Sequence, residues 1–196
     1  MDKKQDNTTA DCAGNPASCD AAGVIHPDLL AAKVGVYNPS HFACSALQRE
    51  VESADYGAYE FVLNERRIKF RVAKITPTKI GQFVTLWKRV GNGPIQPFDL
   101  SDPVDYFVVS TRKAENFGQF VFPTSALCAH DIVSKQGEGG KRAIRVYPPW
   151  DKTLSHQAQK TQRWQLDYFL DLSPGRPIDL VRVQSLYGSR SGTLAN

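Results

Sequence analysis

The sequence predicts an α+β fold, a single domain with a largely antiparallel or mixed sheet of about six strands flanked by helices at both ends. Three observations carry this expectation. Apolar and polar residues alternate in short runs through the middle of the chain. Glycine- and proline-bearing turns separate those runs. Helix-like segments stand before and after them.

Residues 1–23 are rich in Asp, Asn, Ala and Thr without periodicity, and read as a disordered tail. PDLLAAKV at 27–34 opens on a proline suited to a first helical turn. ALQREVES at 46–53 places Leu47 and Val51 on one helical face, which predicts a second short helix. The period then becomes two. YEFVLN at 59–64 and RIKFRVAKI at 67–75 read as a hairpin, and the second strand shows Arg67, Lys69 and Arg71 on one face. QFVTLWKRV at 82–90 predicts the next strand, ended by GNGP, with a proline-broken loop over 95–104. DYFVVST at 105–111, FGQFVFP at 117–123 and RAIRVYP at 142–148 complete the set. TSALCAHD predicts a short helix capped by Thr124 or Ser125. A longer helix, capped by Thr153 or Ser155, is expected to run to about Leu172. Residues 173–196 read as a tail in which IDLVRVQSLYG can add an edge strand.

The tetrapeptide GQFV occurs at Gly81–Val84 and again at Gly118–Val121. No wider self-similarity surrounds it, so it marks two strand starts after turns rather than a repeat architecture. Each glutamine falls on the face opposite its phenylalanine. Gln82 and Gln119 are therefore either solvated, bonded across strands, or polar contacts in a ligand groove.

Composition narrows the function classes. No run of apolar residues is long enough for a membrane helix, and the N-terminus lacks the apolar core of a secretion signal, so the expected location is cytoplasmic. Cys12, Cys19, Cys44 and Cys128 do not form the framework of a disulfide-stapled domain. His41 with Cys44 sits in a loop-like segment, and Cys128 with His130 is spaced more closely than usual zinc ligands, so no metal site is expected. There is no Gly-x-Ser-x-Gly elbow, and GEGGK at 137–141 has neither P-loop spacing nor a following helix, so no cofactor is implied.

The net charge of +4 is unevenly spread. Residues 61–90 and 141–163 are basic and bracket an acidic stretch. If the two segments meet, they form one positive face.

Four segments, FRVAKITPTKIGQFVTLWKR, GQFVFP, GKRAIRVYPPWD and QAQKTQRWQLDYF, stand in an order that resembles the MepB-like family over roughly residues 45–172. That family is bacterial and named after a gene of a multidrug-efflux operon. The resemblance implies a compact α/β-type domain, nucleic-acid binding through a positive face, and a distant relation to nuclease folds. It carries nothing over to the segment before about residue 45 or to the tail after Leu172; the domain as a whole is expected over about residues 24–172.

Metal-dependent cleavage would need carboxylates near a strand hairpin, usually with a lysine two residues after one of them. Val72-Ala73-Lys74 has the lysine without the acid, and Gln119 stands where an acid could be. Asp99, Asp102 and Asp105 are acids near a strand start, and Asp105 could act with Glu60. Binding chemistry is better represented. The expected face comprises Arg71, Lys74, Lys79, Gln82, Lys88, Arg89, Lys141, Arg142 and Arg145, with Trp150 as the accessible aromatic and Lys160 and Arg163 on the polar start of the last helix. Trp87 and Trp164 are expected in the core. The sequence therefore predicts a non-catalytic domain that binds DNA or RNA. The alternatives are an unusual nuclease or a sensor of an anionic small molecule.

Overall fold

The computed structural model describes residues 25–188. The expected N-terminal tail lies outside the described residues. The fold is α+β and contains a six-stranded sheet in the order β1-β2-β3-β8-β9-β11. Its strands are β1 (Gln48–Arg49), β2 (Tyr59–Leu63), β3 (Arg66–Val72), β8 (Tyr106–Lys113), β9 (Asn116–Pro123) and β11 (Phe169–Asp171). All neighbours are antiparallel except β3 and β8, which are parallel. A second sheet of three strands has the order β10-β5-β4, formed by β4 (Lys74–Thr76), β5 (Lys79–Thr85) and β10 (Ala143–Val146). A two-stranded ribbon pairs β6 (Trp87–Arg89) with β7 (Ile95–Pro97).

Alternation sends successive side chains of the central strands to two cores. On one face, Ile68, Phe70, Tyr106, Val108 and Val121 pack with Leu29 of helix α1 (Pro27–Ala32) and with Val183 and Leu186 of helix α4 (Leu180–Tyr187). On the other, Phe107, Val109, Phe120 and Phe122 pack with Val84, Ile144 and Val146 of the small sheet and with Leu127 of helix α2 (Thr124–Ala129). Both faces of β8 and β9 are thereby covered, which explains their nearly continuous apolar character. The parallel pairing of β3 and β8 needs a crossover. Here the crossover contains β4 to β7, so the connection itself brings in the ribbon and two strands of the small sheet, and β10 joins them after β9.

Several elements differ from the sequence expectation, each for a tertiary reason. Residues 46–53 do not form a helix. Gln48 and Arg49 pair with Glu60 and Tyr59, and a 3-10 turn follows at Ala54–Tyr56. So short a segment has little helical stability of its own, and strand pairing with the Glu50 ion pairs takes precedence. The run at 67–75 breaks at Ala73, whose N–H donates to the Ser110 carbonyl, and the chain passes from the large sheet to the small one. The run at 82–90 breaks at Leu86, where β5 leaves β10 and β6 turns to meet β7 in what the sequence presents as a loop. The last long helix, α3 (His156–Leu166), has its Ser155 hydroxyl accepting from the Ala158 N–H, as expected of a cap, but stops before Leu172. Phe169–Asp171 instead adds β11 to the free edge of β9. IDLVRVQSLYG supplies helix α4 rather than an edge strand, with the Asp179 side chain accepting from the Arg182 N–H. Its Val183, Leu186 and Tyr187 enter the core, and the Tyr187 ring meets those of Tyr37 and Phe42.

Candidate nucleic-acid interface

The small sheet has one face in the core and one face turned outward. Val84, Ile144 and Val146 point inward. The outward residues follow from register. Phe83 stands opposite Arg145 on β10 and opposite Lys74 on β4, so a ring lies between two cations in one row across three strands. The Arg145 guanidinium is 5.9 Å from the Phe83 ring centroid. Tyr56 extends the row: its ring is 6.3 Å from that of Phe83, and the Lys74 ammonium sits 4.5 Å from its centroid. Phe83 and Tyr56 are half-buried and Lys74 is exposed.

Arg145 also links this face to a groove at the end of the sheet. Its guanidinium donates to Thr76 Oγ1 at 2.8 Å and to the Gly81 carbonyl at 2.9 Å, and so holds the β4–β5 turn. Gly81 has φ of +83°, and a Cβ there would stand 2.5 Å from Tyr147 Cε1, so this position near the start of β5 requires glycine. The groove has a volume of about 480 Å³, with walls from Ile75, Lys79, Ile80, Lys113, Trp150 and Lys152. Lys113 is paired with the buried Asp151 at 3.0 Å. Lys79 and Lys152 are exposed and have no ion pair among the described residues.

Gln82 also lines the groove, although only 1% of its surface is exposed. Its Nε2 donates to the Arg112 carbonyl at 3.4 Å, whereas its Oε1 is covered and without a partner, as is the Trp150 Nε1. The second GQFV glutamine, Gln119, is fully buried and neither of its side-chain polar atoms has a partner. Neither glutamine is solvated. The first reaches a ligand-sized groove, and the second lies opposite Ser110 inside the large sheet.

The structure brings Lys74, Lys79, Gln82, Arg145 and Trp150 together around this face and groove. Other expected residues stand elsewhere. Arg71 is 1% exposed, on a strand covered on both faces, and binds Glu50 at 2.7 Å. Burial alone would raise the Glu50 carboxyl, but Arg71 and then Lys69 outweigh it and hold its pKa below the ordinary value. Lys88 is paired with Asp102, and Arg89 with Glu52 at 2.7 Å. These three cations are already neutralised within the fold. Lys141 and Arg142 are exposed and unpaired among the described residues, towards the other end of β10. On α3, the buried Gln165 faces β10: it accepts from the Tyr147 N–H at 2.9 Å and donates to the Arg145 carbonyl at 3.0 Å. Helical spacing puts Lys160 and Arg163 on the far side of α3 from Gln165, so they do not join the face. Trp164 is half-buried against the core and stacks on His130 at 3.9 Å, while Trp87 lies half-buried beneath Arg89.

Sequence reasoning missed Phe83, Tyr56, Lys113 and Lys152. The alternation of Gln82 and Phe83 carried the signal for Phe83, whereas Lys113 and Lys152 are assembled only by tertiary contacts.

The acids considered for cleavage are engaged separately. Glu60 binds Lys69 at 2.7 Å, and Asp105 accepts from the Arg67 N–H at 2.8 Å and from Arg66. Asp99 accepts from the Gly137 N–H, then from Ser101 and Ser134, and these bonds hold its pKa well below the carboxylate range. Among the described residues, no group of three His, Cys, Asp or Glu converges as metal ligands. Nor is any helix long and apolar enough to cross a membrane.

Comparison with known proteins gives a consistent affiliation. No curated protein matches the chain. A crystal structure of MepB is similar, with a TM-score of 0.65 and 34% identity, covering 77% of this chain and 99% of that one. The model of the MepB-like family matches residues 50–171. The chain belongs to the MepB-like family.

Proposed function

We propose that this protein is a non-catalytic nucleic-acid-binding domain whose contact surface is the outer face of the small sheet. The row Lys74–Phe83–Arg145, extended by Tyr56, carries this reading. An outward-facing basic strand face with interleaved, half-buried rings offers two interactions at once. The cations neutralise phosphates with release of counterions. The rings present apolar faces on which unpaired bases stack, irrespective of sequence. Lys141 and Arg142 supply further charge towards the other end of β10. Binding is favoured over cleavage because Glu60 and Asp105 are held by different partners on either side of β3. A nucleic-acid partner also fits the cytoplasmic location expected from the sequence.

The test separates the two interactions. Phe83→Ala should weaken binding of a labelled single strand by about 1–3 kcal/mol while leaving the salt dependence nearly unchanged. Lys74→Gln should reduce the slope of log affinity against log salt by about one. Fluorescence anisotropy reads both, with thermal melting to confirm that each variant is folded. Unchanged affinity in both variants contradicts the assignment of this face.

A further inference from the structure

The groove beside the basic face has chemistry that a stacking surface does not need. It is concave, and its volume of about 480 Å³ falls within the range of about 300–1,000 Å³ usual for small-molecule sites. Ile75, Ile80 and Trp150 give it apolar walls. Lys79 and Lys152 add two unpaired ammonium groups, from the start of β5 and from the segment after β10. Gln82 and Trp150 each hold a covered, unpartnered polar atom, Oε1 and Nε1 respectively. Leaving such groups unbonded costs stability, and a ligand that engages them after a small side-chain shift recovers part of it.

We propose that this groove is a subsite for one nucleoside monophosphate unit, its phosphate held by Lys79 and Lys152 and its base and sugar set against Trp150, Ile75 and Ile80. The inference rests on the nucleic-acid reading for its ligand class. Arg145 gives the physical connection, because the guanidinium beside Phe83 also binds the turn that carries Lys79 and forms one groove wall. The unit is either a free nucleotide or the phosphorylated end of a strand whose preceding nucleotides lie on the sheet face.

Calorimetric titration distinguishes these sources. The probes are adenosine 5′-monophosphate and one short single strand bearing a 5′-phosphate, a 3′-phosphate or hydroxyl ends only. The proteins are the full chain, the double variant Lys79→Gln/Lys152→Gln, and Phe83→Ala. Both lysines are exposed and unpaired, so the double variant should melt as the parent does. If the source is a free nucleotide, adenosine 5′-monophosphate binds the parent, weakens about tenfold in the double variant and still binds Phe83→Ala. If the source is a strand end, one phosphorylated strand binds about tenfold more tightly than the hydroxyl-ended strand, and the double variant removes that advantage. The inference is overturned if the free nucleotide does not bind and terminal phosphate makes no difference. It is equally overturned if the double variant retains either effect in full. Strand binding that persists with sensitivity to Phe83→Ala would then show that the sheet-face reading stands without the groove.

Discussion

Arg71 shows at the residue scale why a run of cations is not in itself a surface. It alternates with Lys69 and Arg67, and the sequence presents all three as one basic face. The small sheet and ribbon cover the Lys69–Arg71 end of that face and leave Arg67 exposed, so Arg71 and Lys69 become partners of Glu50 and Glu60. A buried arginine without its carboxylate is costly, so the Glu50 contribution should be measurable. Because the folded pKa of Glu50 is depressed, its stabilisation is complete above the ordinary glutamate value of about 4.3 and is lost as pH falls through the lower folded value. Glu50→Gln should cost about 2 kcal/mol at neutral pH and flatten this part of the acid limb. Urea unfolding across pH 7 to 3 checks the sign; identical pH profiles for parent and variant would refute it.

At the scale of elements, the long alternating runs were the legible part. β2, β3, β8, β9 and β10 lie where period two placed them, because each has at least one buried face that fixes its alternation. What escaped the sequence was decided by partners far along the chain. β1 is two residues long and exists through its pairing with β2. β11 looks helical in isolation but completes an edge. The breaks at Ala73 and Leu86 come from a change of sheet, which leaves the local apolar pattern intact. The clearest long-range device is Gln165, which satisfies two backbone groups on the outer edge of β10 and so closes it against further strand addition. Gln165→Ala should cost about 1–3 kcal/mol by leaving those groups unpaired in a buried setting. It should also raise amide exchange at Tyr147 before exchange rises in β8 and β9. Uniform loosening of the chain would instead mean that α3 does not act on that edge.

For the whole molecule, the two-segment charge pattern was legible and its interpretation was partly so. The segments do meet: β5 from the first pairs directly with β10 from the second, and β4 joins the same sheet through β5. The resulting face is narrower than the sequence suggests, because Arg71, Lys88 and Arg89 are spent on Glu50, Asp102 and Glu52. Folding also supplies what a charge count omits, the rings of Phe83 and Tyr56 on the face and the Lys113–Asp151 pair in the groove. Gln82 was legible as a candidate because its face could be read from alternation. Its closeness to Trp150 and Lys152 in the fold could not, since those residues lie on a distant stretch of chain.

The most direct measurement is fluorescence anisotropy of the unmodified protein with labelled single-stranded DNA, duplex DNA and RNA across a salt series. The account predicts tighter binding to single strands than to duplex, because only unpaired bases can stack on Phe83 and Tyr56. It also predicts affinity that falls linearly in log–log salt, with a slope reflecting the few unpaired cations of this face. No binding at low salt, or binding indifferent to salt, would contradict it and return the face to ordinary solvated surface.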